Sequence, residues 1–146
     1  MLDQPVLSSQ TLGTTYEQML EQVRYDGAYP TTERAAEAVQ RVMTALGRQL
    51  TEEERDDLAR CLPLEAALAL RAHVPQAAPL TGWNFVKDLA TRTGRTPAVA
   101  RWETGAVLTV VARLAGPALL NRLTDRLPEG WALLFGQAEL RRSQAA

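Results

Sequence analysis

One histidine, His73, and one cysteine, Cys61, are the only side chains in these 146 residues that ordinarily serve as a neutral-pH proton shuttle or a thiol nucleophile. Neither has company. His73 abuts a proline-containing stretch with no carboxylate near it in sequence, so a metal site there would draw its remaining ligands from Asp and Glu alone. A solvent-exposed linker histidine accounts for it. Cys61 follows Leu58 on the face shared with Leu62 and reads as a small buried apolar residue; being single, it forms no internal disulfide. The densest acidic group, Glu52, Glu53, Glu54, Asp56 and Asp57, follows Thr51 at a helix start, where the dipole favours negative charge, so capping and solvation explain it better than a carboxylate centre. The chain shows no glycine-rich phosphate loop, nucleophile elbow or paired-histidine spacing. These residues predict no catalytic, cofactor-binding or metal-binding site, and hence a protein that is not an enzyme.

Arginines and aromatic rings remain as candidates for contact. Arg92, Arg95 and Arg101 flank one loop, and Arg122, Arg126, Arg141 and Arg142 gather near the other end. They interleave with Asp88, Glu103, Asp125 and Glu129, and no basic helix carries base-reading residues, so a solvated helix face is preferred to a nucleic-acid surface. The large rings Trp83, Phe85, Trp102, Trp131 and Phe135 belong to the second half and first serve to fill a core. Trp83 and Trp131 lie near helix starts and off the main apolar stripes, which makes them candidates for an exposed contact surface. Tyr25 and Tyr29 belong to a compact loop running to Pro30, read as a contact point or as a packed helix connector.

The elements that would carry these side chains are helical. Thr14 with Glu17, and Thr51 with Glu54, have the spacing of a reciprocal cap at a helix start. Behind Thr31 and Thr32, the residues Ala35, Ala38, Val39, Val42, Met43 and Leu46 recur every three or four positions along one face. Val107 to Val111 is β-branched enough to suggest a strand, but Val99, Trp102, Ala106, Val107, Val110 and Leu114 keep helical spacing through it. Gly27, Gly47 and Gly94 are placed to end helices in a left-handed conformation, and Pro97 and Pro117 to begin them. Pro63 and Pro128 each follow a leucine that should be core, so the chain should bend there.

Two stretches about sixty-five residues apart end alike: Leu58, Leu62, Pro63, Ala67 and Leu68 recur as Leu123, Leu127, Pro128, Ala132 and Leu133. Upstream, Gly27 and Pro30 answer to Gly94 and Pro97, and Leu46 and Leu50 to Val110 and Leu114. The pattern predicts an all-α protein of two tandem, similar four-helix units packed about an approximate internal two-fold. Residues 1–13 read as a flexible tail, 14–73 as the first repeat, 74–80 as a stiff Pro/Ala linker, 81–140 as the second repeat and 141–146 as a C-terminal tail. A half of this size has little interior of its own, so the halves should shelter each other in one compact domain.

Net charge is −1, but through His73 the chain carries seven basic and twelve acidic residues, against nine and five from Val74 onward. Opposite halves attract, which favours docking of one half on the other, or on a second molecule. With neither a membrane-spanning apolar run nor a secretory signal, a cytoplasmic protein is expected.

The Tyr16 to Val23 helix, the Ala35 to Leu46 helix with Leu50, the Thr51 to Pro63 block and their weaker echoes in Trp83 to Pro128 resemble domain-of-unknown-function family 2267, a family of uncharacterised bacterial proteins. The second copy departs from the pattern at Gly116 and Pro117. The resemblance implies an all-helical tandem domain and transfers no catalytic residue. The leading expectation is a small soluble interaction or scaffold module with a protein partner or a tendency to self-associate. The alternatives are a small-molecule pocket between the repeats, lined by Trp83, Trp102 and nearby arginines, and a weak nucleic-acid association.

Overall fold

The computed structural model describes residues 13–72 and 78–137. His73, Arg141, Arg142 and most of the expected linker and tails lie outside the described residues. Among the described residues there are eight helices: α1 (Tyr16–Gly27), α2 (Thr32–Gly47), α3 (Glu52–Ala59), α4 (Leu64–Arg71), α5 (Gly82–Thr93), α6 (Pro97–Ala115), α7 (Pro117–Arg126) and α8 (Trp131–Leu134). No strand occurs among the described residues, and Val107 to Val111 lies inside α6.

Short polar residues start most of these helices. The hydroxyls of Thr15, Thr31, Thr51, Thr81 and Thr96 each accept from a backbone N–H three residues on, satisfying donors that a helix start leaves unpaired. At Thr15 and Thr51 the side chains of Gln18 and Glu54 return the bond, completing reciprocal caps. The first helix therefore begins one residue later than the Thr14 and Glu17 pairing predicts, because glutamine reaches back as well as glutamate does. Pro97 and Pro117 occupy first turns, where no N–H is needed.

Only one of the three expected glycine stops is left-handed. Gly94 ends α5 at φ 69°, but α1 is ended by Ala28 at φ 56°, the corresponding position one residue after Gly27. Gly27 and Gly47 are instead sites of close approach. A Cβ on Gly47 would lie 2.0 Å from the Leu70 carbonyl oxygen, so α2 and α4 pack backbone to backbone there.

Part of the packing is common to the two halves: α1 packs on α2 and α2 on α4, as α5 packs on α6 and α6 on α8, whereas α3 packs on α4 with no comparable packing of α7 on α8. Met19, Leu20 and Val23 are buried where α5 buries Phe85, Val86 and Leu89, and Leu58 and Leu70 where the second half buries Leu123 and Phe135. Leu62 and Leu127, the leucines before the two prolines, are buried as expected, whereas Leu68 and Leu133 of the same motif are more than half exposed. The halves join through α1 on α6, α2 on α6 and α3 on α7. Gln49, almost fully buried, fixes the chain entering the second half by donating to the Ala78 carbonyl at 3.2 Å and accepting from Leu80 N–H at 2.9 Å.

The charge split is spent inside the molecule. Arg113 meets Asp26, Arg122 meets Asp57, and Arg126 meets Glu54, each joining a second-half arginine to a first-half carboxylate. Most of the acidic group at the start of α3 is thereby engaged: Glu54 caps and pairs, Asp57 serves Arg60 and Arg122, and Asp56 pairs with Arg71. Cys61 is half-buried rather than buried, its thiol 3.6 Å from the Asp57 carbonyl.

Candidate functional site

Among the described residues, one groove opens between α1 and α6 and another between α2 and α5, where the halves meet. The first has a volume of 670 Å³ and is lined by Asp26 of α1, by Arg101, Trp102, Gly105, Thr109 and Arg113 of α6, and by Leu133 of α8. The Trp102 indole N–H donates to the Gly27 carbonyl at 2.8 Å, which holds the ring by one edge and leaves 58% of the residue exposed. Leu133 is 52% exposed. Arg101 has no ion pair or hydrogen bond among the described residues, and its guanidinium lies over Gly105, where a Cβ would come within 2.7 Å of it. Asp26 and Arg113 pair at 3.0 Å.

The second groove, 410 Å³, is lined by Gln40, Arg41, Thr44 and Ala45 of α2, by Arg48 directly after it, and by Leu89, Arg92 and Thr93 of α5. Behind Arg41 lies a buried ion pair that joins the halves. Glu103, 3% exposed, accepts from Arg41 through both carboxylate oxygens, at 3.1 and 2.7 Å, and stands 3.5 Å from Arg95. This two-pronged geometry is the one in which a guanidinium best compensates a desolvated carboxylate.

Tyr29 closes the same cluster. Its ring covers Gly27, where a Cβ would sit 2.3 Å from Cε2, and its hydroxyl is buried without a hydrogen-bond partner among the described residues. Burial, and then the Glu103 carboxylate, push the phenol up to about 12 against the opposing pull of Arg41 and Arg95. Because the folded value lies above that of a free tyrosine, the unfolded chain ionises first. The stability contribution is complete below about pH 10 and is lost as pH rises towards 12. Tyr29→Phe should flatten that alkaline loss in part, since burial also raises Tyr16. At pH 7 it should leave stability unchanged or raise it by up to about 1 kcal/mol, by removing an unsatisfied hydroxyl. Denaturant unfolding at pH 7 and pH 11 checks both expectations.

The contact residues expected from sequence disperse. Tyr25 is 80% exposed beside Asp26, and Trp83 is exposed in a separate shallow depression with Thr81, Asn84, Glu129 and Gly130. Trp83 and Trp102 therefore do not line one pocket. Trp131 is fully buried, not exposed: it packs on Phe85 at a centroid distance of 4.6 Å, and its indole N–H donates to the Leu80 carbonyl at 2.9 Å. A ring near a helix start looks peripheral in sequence, but the four-residue α8 needs a large anchor to hold it down. Tyr29 is half-buried, Arg92 and Arg95 serve the second groove and its ion pair, and Arg101 serves the first.

Sequence reasoning missed Arg41, Arg48, Gln49 and, as a buried anchor, Glu103. Glu103 had a readable signal: matching the caps Thr31 and Thr96 places it where the first half has Ala38, on the buried stripe. A carboxylate there must have a partner. Among the described residues no cluster of His, Cys, Asp and Glu could hold a metal ion, and no helix is long and apolar enough to cross a membrane.

Residues 16–134 match the family model described as uncharacterized conserved protein (DUF2267). A comparison with curated proteins finds no match.

Proposed function

We propose, for a chain that belongs to the DUF2267 family of uncharacterized conserved proteins, the role of a non-catalytic interaction module built from two copies of one helical unit. Its docking site is the groove of α1, α6 and α8. The occupant is a linear segment of another protein that presents an apolar side chain next to a carboxylate.

The observation that carries this reading is an indole pinned by its N–H with its face open, beside exposed Leu133 and the guanidinium of Arg101, which is unpaired among the described residues. Rings held at low entropic cost in a partly apolar depression are the usual energetic centres of docking sites. The arginine selects for a neighbouring acid. A second copy of this chain is a poorer occupant, because Asp26, Glu54 and Asp57 already pair within the molecule.

Selection from a random linear-peptide library on the full chain should enrich peptides with a large apolar residue flanked by Asp or Glu. Trp102→Ala should weaken the selected peptides about tenfold or more, and Arg101→Glu should weaken the acidic ones selectively. Both residues are exposed, so neither change should unfold the protein. Selected peptides that bind Trp102→Ala as tightly as the unmodified chain, or concentration-dependent dimerisation abolished by Trp102→Ala, would displace this reading.

A further inference from the structure

We infer that the groove between α2 and α5 is a binding site for a small, multiply charged oxyanion of the phosphate class. The inference starts from a broken correspondence between the two grooves. Matched cap to cap, α1 corresponds to α5 and α2 to α6, so the packing of α1 on α6 should be mirrored by α5 on α2. The first pair packs along much of its length, whereas the second barely touches.

The lining residues give the reason. On the closed side the small Ala106 stands on α6, and Asp26 pairs with Arg113 at 3.0 Å. On the open side the corresponding position holds Arg41, and the partners of the missing ion pair are Arg92 and Arg48. Two cations stand where the other groove has a cation and an anion. Arg92 pairs instead with Asp88 on its own helix, and no acidic residue lining the groove takes the place that Asp26 has in the other.

The guanidinium capacity facing this gap is only partly used. Arg41 commits Nε and one terminal nitrogen to Glu103, and Arg92 commits Nε to Asp88 at 2.7 Å. Arg48 has no hydrogen bond or ion pair among the described residues, and none of the eight lining residues is acidic. Three arginines converging from two helices suit the planar, forked recognition of phosphate oxygens. At 410 Å³ the groove has room for a diphosphate with a small organic group attached.

The test is thermal unfolding of the full chain with inorganic pyrophosphate, at ionic strength held constant with sodium chloride. The melting temperature should rise by about 5 °C or more near saturation and in proportion to the logarithm of pyrophosphate concentration. Arg48→Gln and Arg92→Gln should abolish that rise while melting no lower than the unmodified chain in its absence. Three results would each overturn the inference. They are a response no larger than that to the matched salt, an undiminished response in both variants, and a ligand-free fall in Arg48→Gln that would make this arginine a structural strut. A fourth is displacement of pyrophosphate by a short oligonucleotide at far lower phosphate concentration, which would make the natural ligand a polymer.

Discussion

Replacing Gly47 by alanine lowers the stability of this protein by about 2–3 kcal/mol and its melting temperature by roughly 10 °C, although the same exchange inside an ordinary helix stabilises by about 1 kcal/mol. The sign reverses because of what the new methyl group meets. Its carbon would lie 2.0 Å from the Leu70 carbonyl oxygen and 3.1 Å from the carbonyl carbon, and both belong to the backbone of α4. No rotamer can relieve that contact, so the two helices must separate and open the Met43, Leu46 and Leu70 packing around them. Gly105→Ala is the matching control. There the nearest atom is the mobile end of the Arg101 side chain, and α6 should gain up to about 1 kcal/mol. Calorimetry on both variants checks the pair of signs, and a Gly47→Ala protein as stable as the Gly105→Ala protein would show that α2 and α4 are not in backbone contact.

The same contrast explains what was legible in the chain. The periodic burial of Ala35, Ala38, Val39, Val42, Met43 and Leu46 is a property of one helix and can be read from spacing. So can the caps at Thr31 and Thr51, which are local hydrogen bonds. The closeness of Gly47 to Leu70 is a property of two helices crossing, and no local pattern carries it. Trp131 departs from expectation for a related cause: its place near a helix start and off the apolar stripes suggests a surface, yet the cavity it fills is made by Phe85 and Leu80, about fifty residues away.

The candidate grooves were legible in kind and not in membership. Opposed charge in the two halves announces that they attract, and Arg113, Arg122 and Arg126 do find first-half carboxylates. Which arginines remain unspent is decided by the geometry of crossing. Arg48, which has no partner among the described residues, is indistinguishable from its paired neighbours until α2 and α5 are laid side by side. Trp102 was recognisable as a candidate, but the partner that holds its edge, the Gly27 carbonyl, is a backbone atom that side-chain patterns cannot mark.

Removing the Arg41 side chain is the second change with a large expected effect. Arg41→Ala leaves Glu103 with its carboxylate shielded from water and only Arg95, at 3.5 Å, to answer it. Breaking one side of a buried pair costs about 3–5 kcal/mol, and Arg95 brings the expectation to the lower end, near 3 kcal/mol. Arg41→Met combined with Glu103→Leu removes both charges and keeps apolar volume where the first half has only Ala38. That double variant should lie within about 1 kcal/mol of the unmodified chain, so the two sites should couple by about 2 kcal/mol or more in a double-mutant cycle. Additive losses would mean that the arginine and the glutamate are each independently hydrated. The bond between them would then be a surface contact and not the polar bolt that fixes α2 against α6.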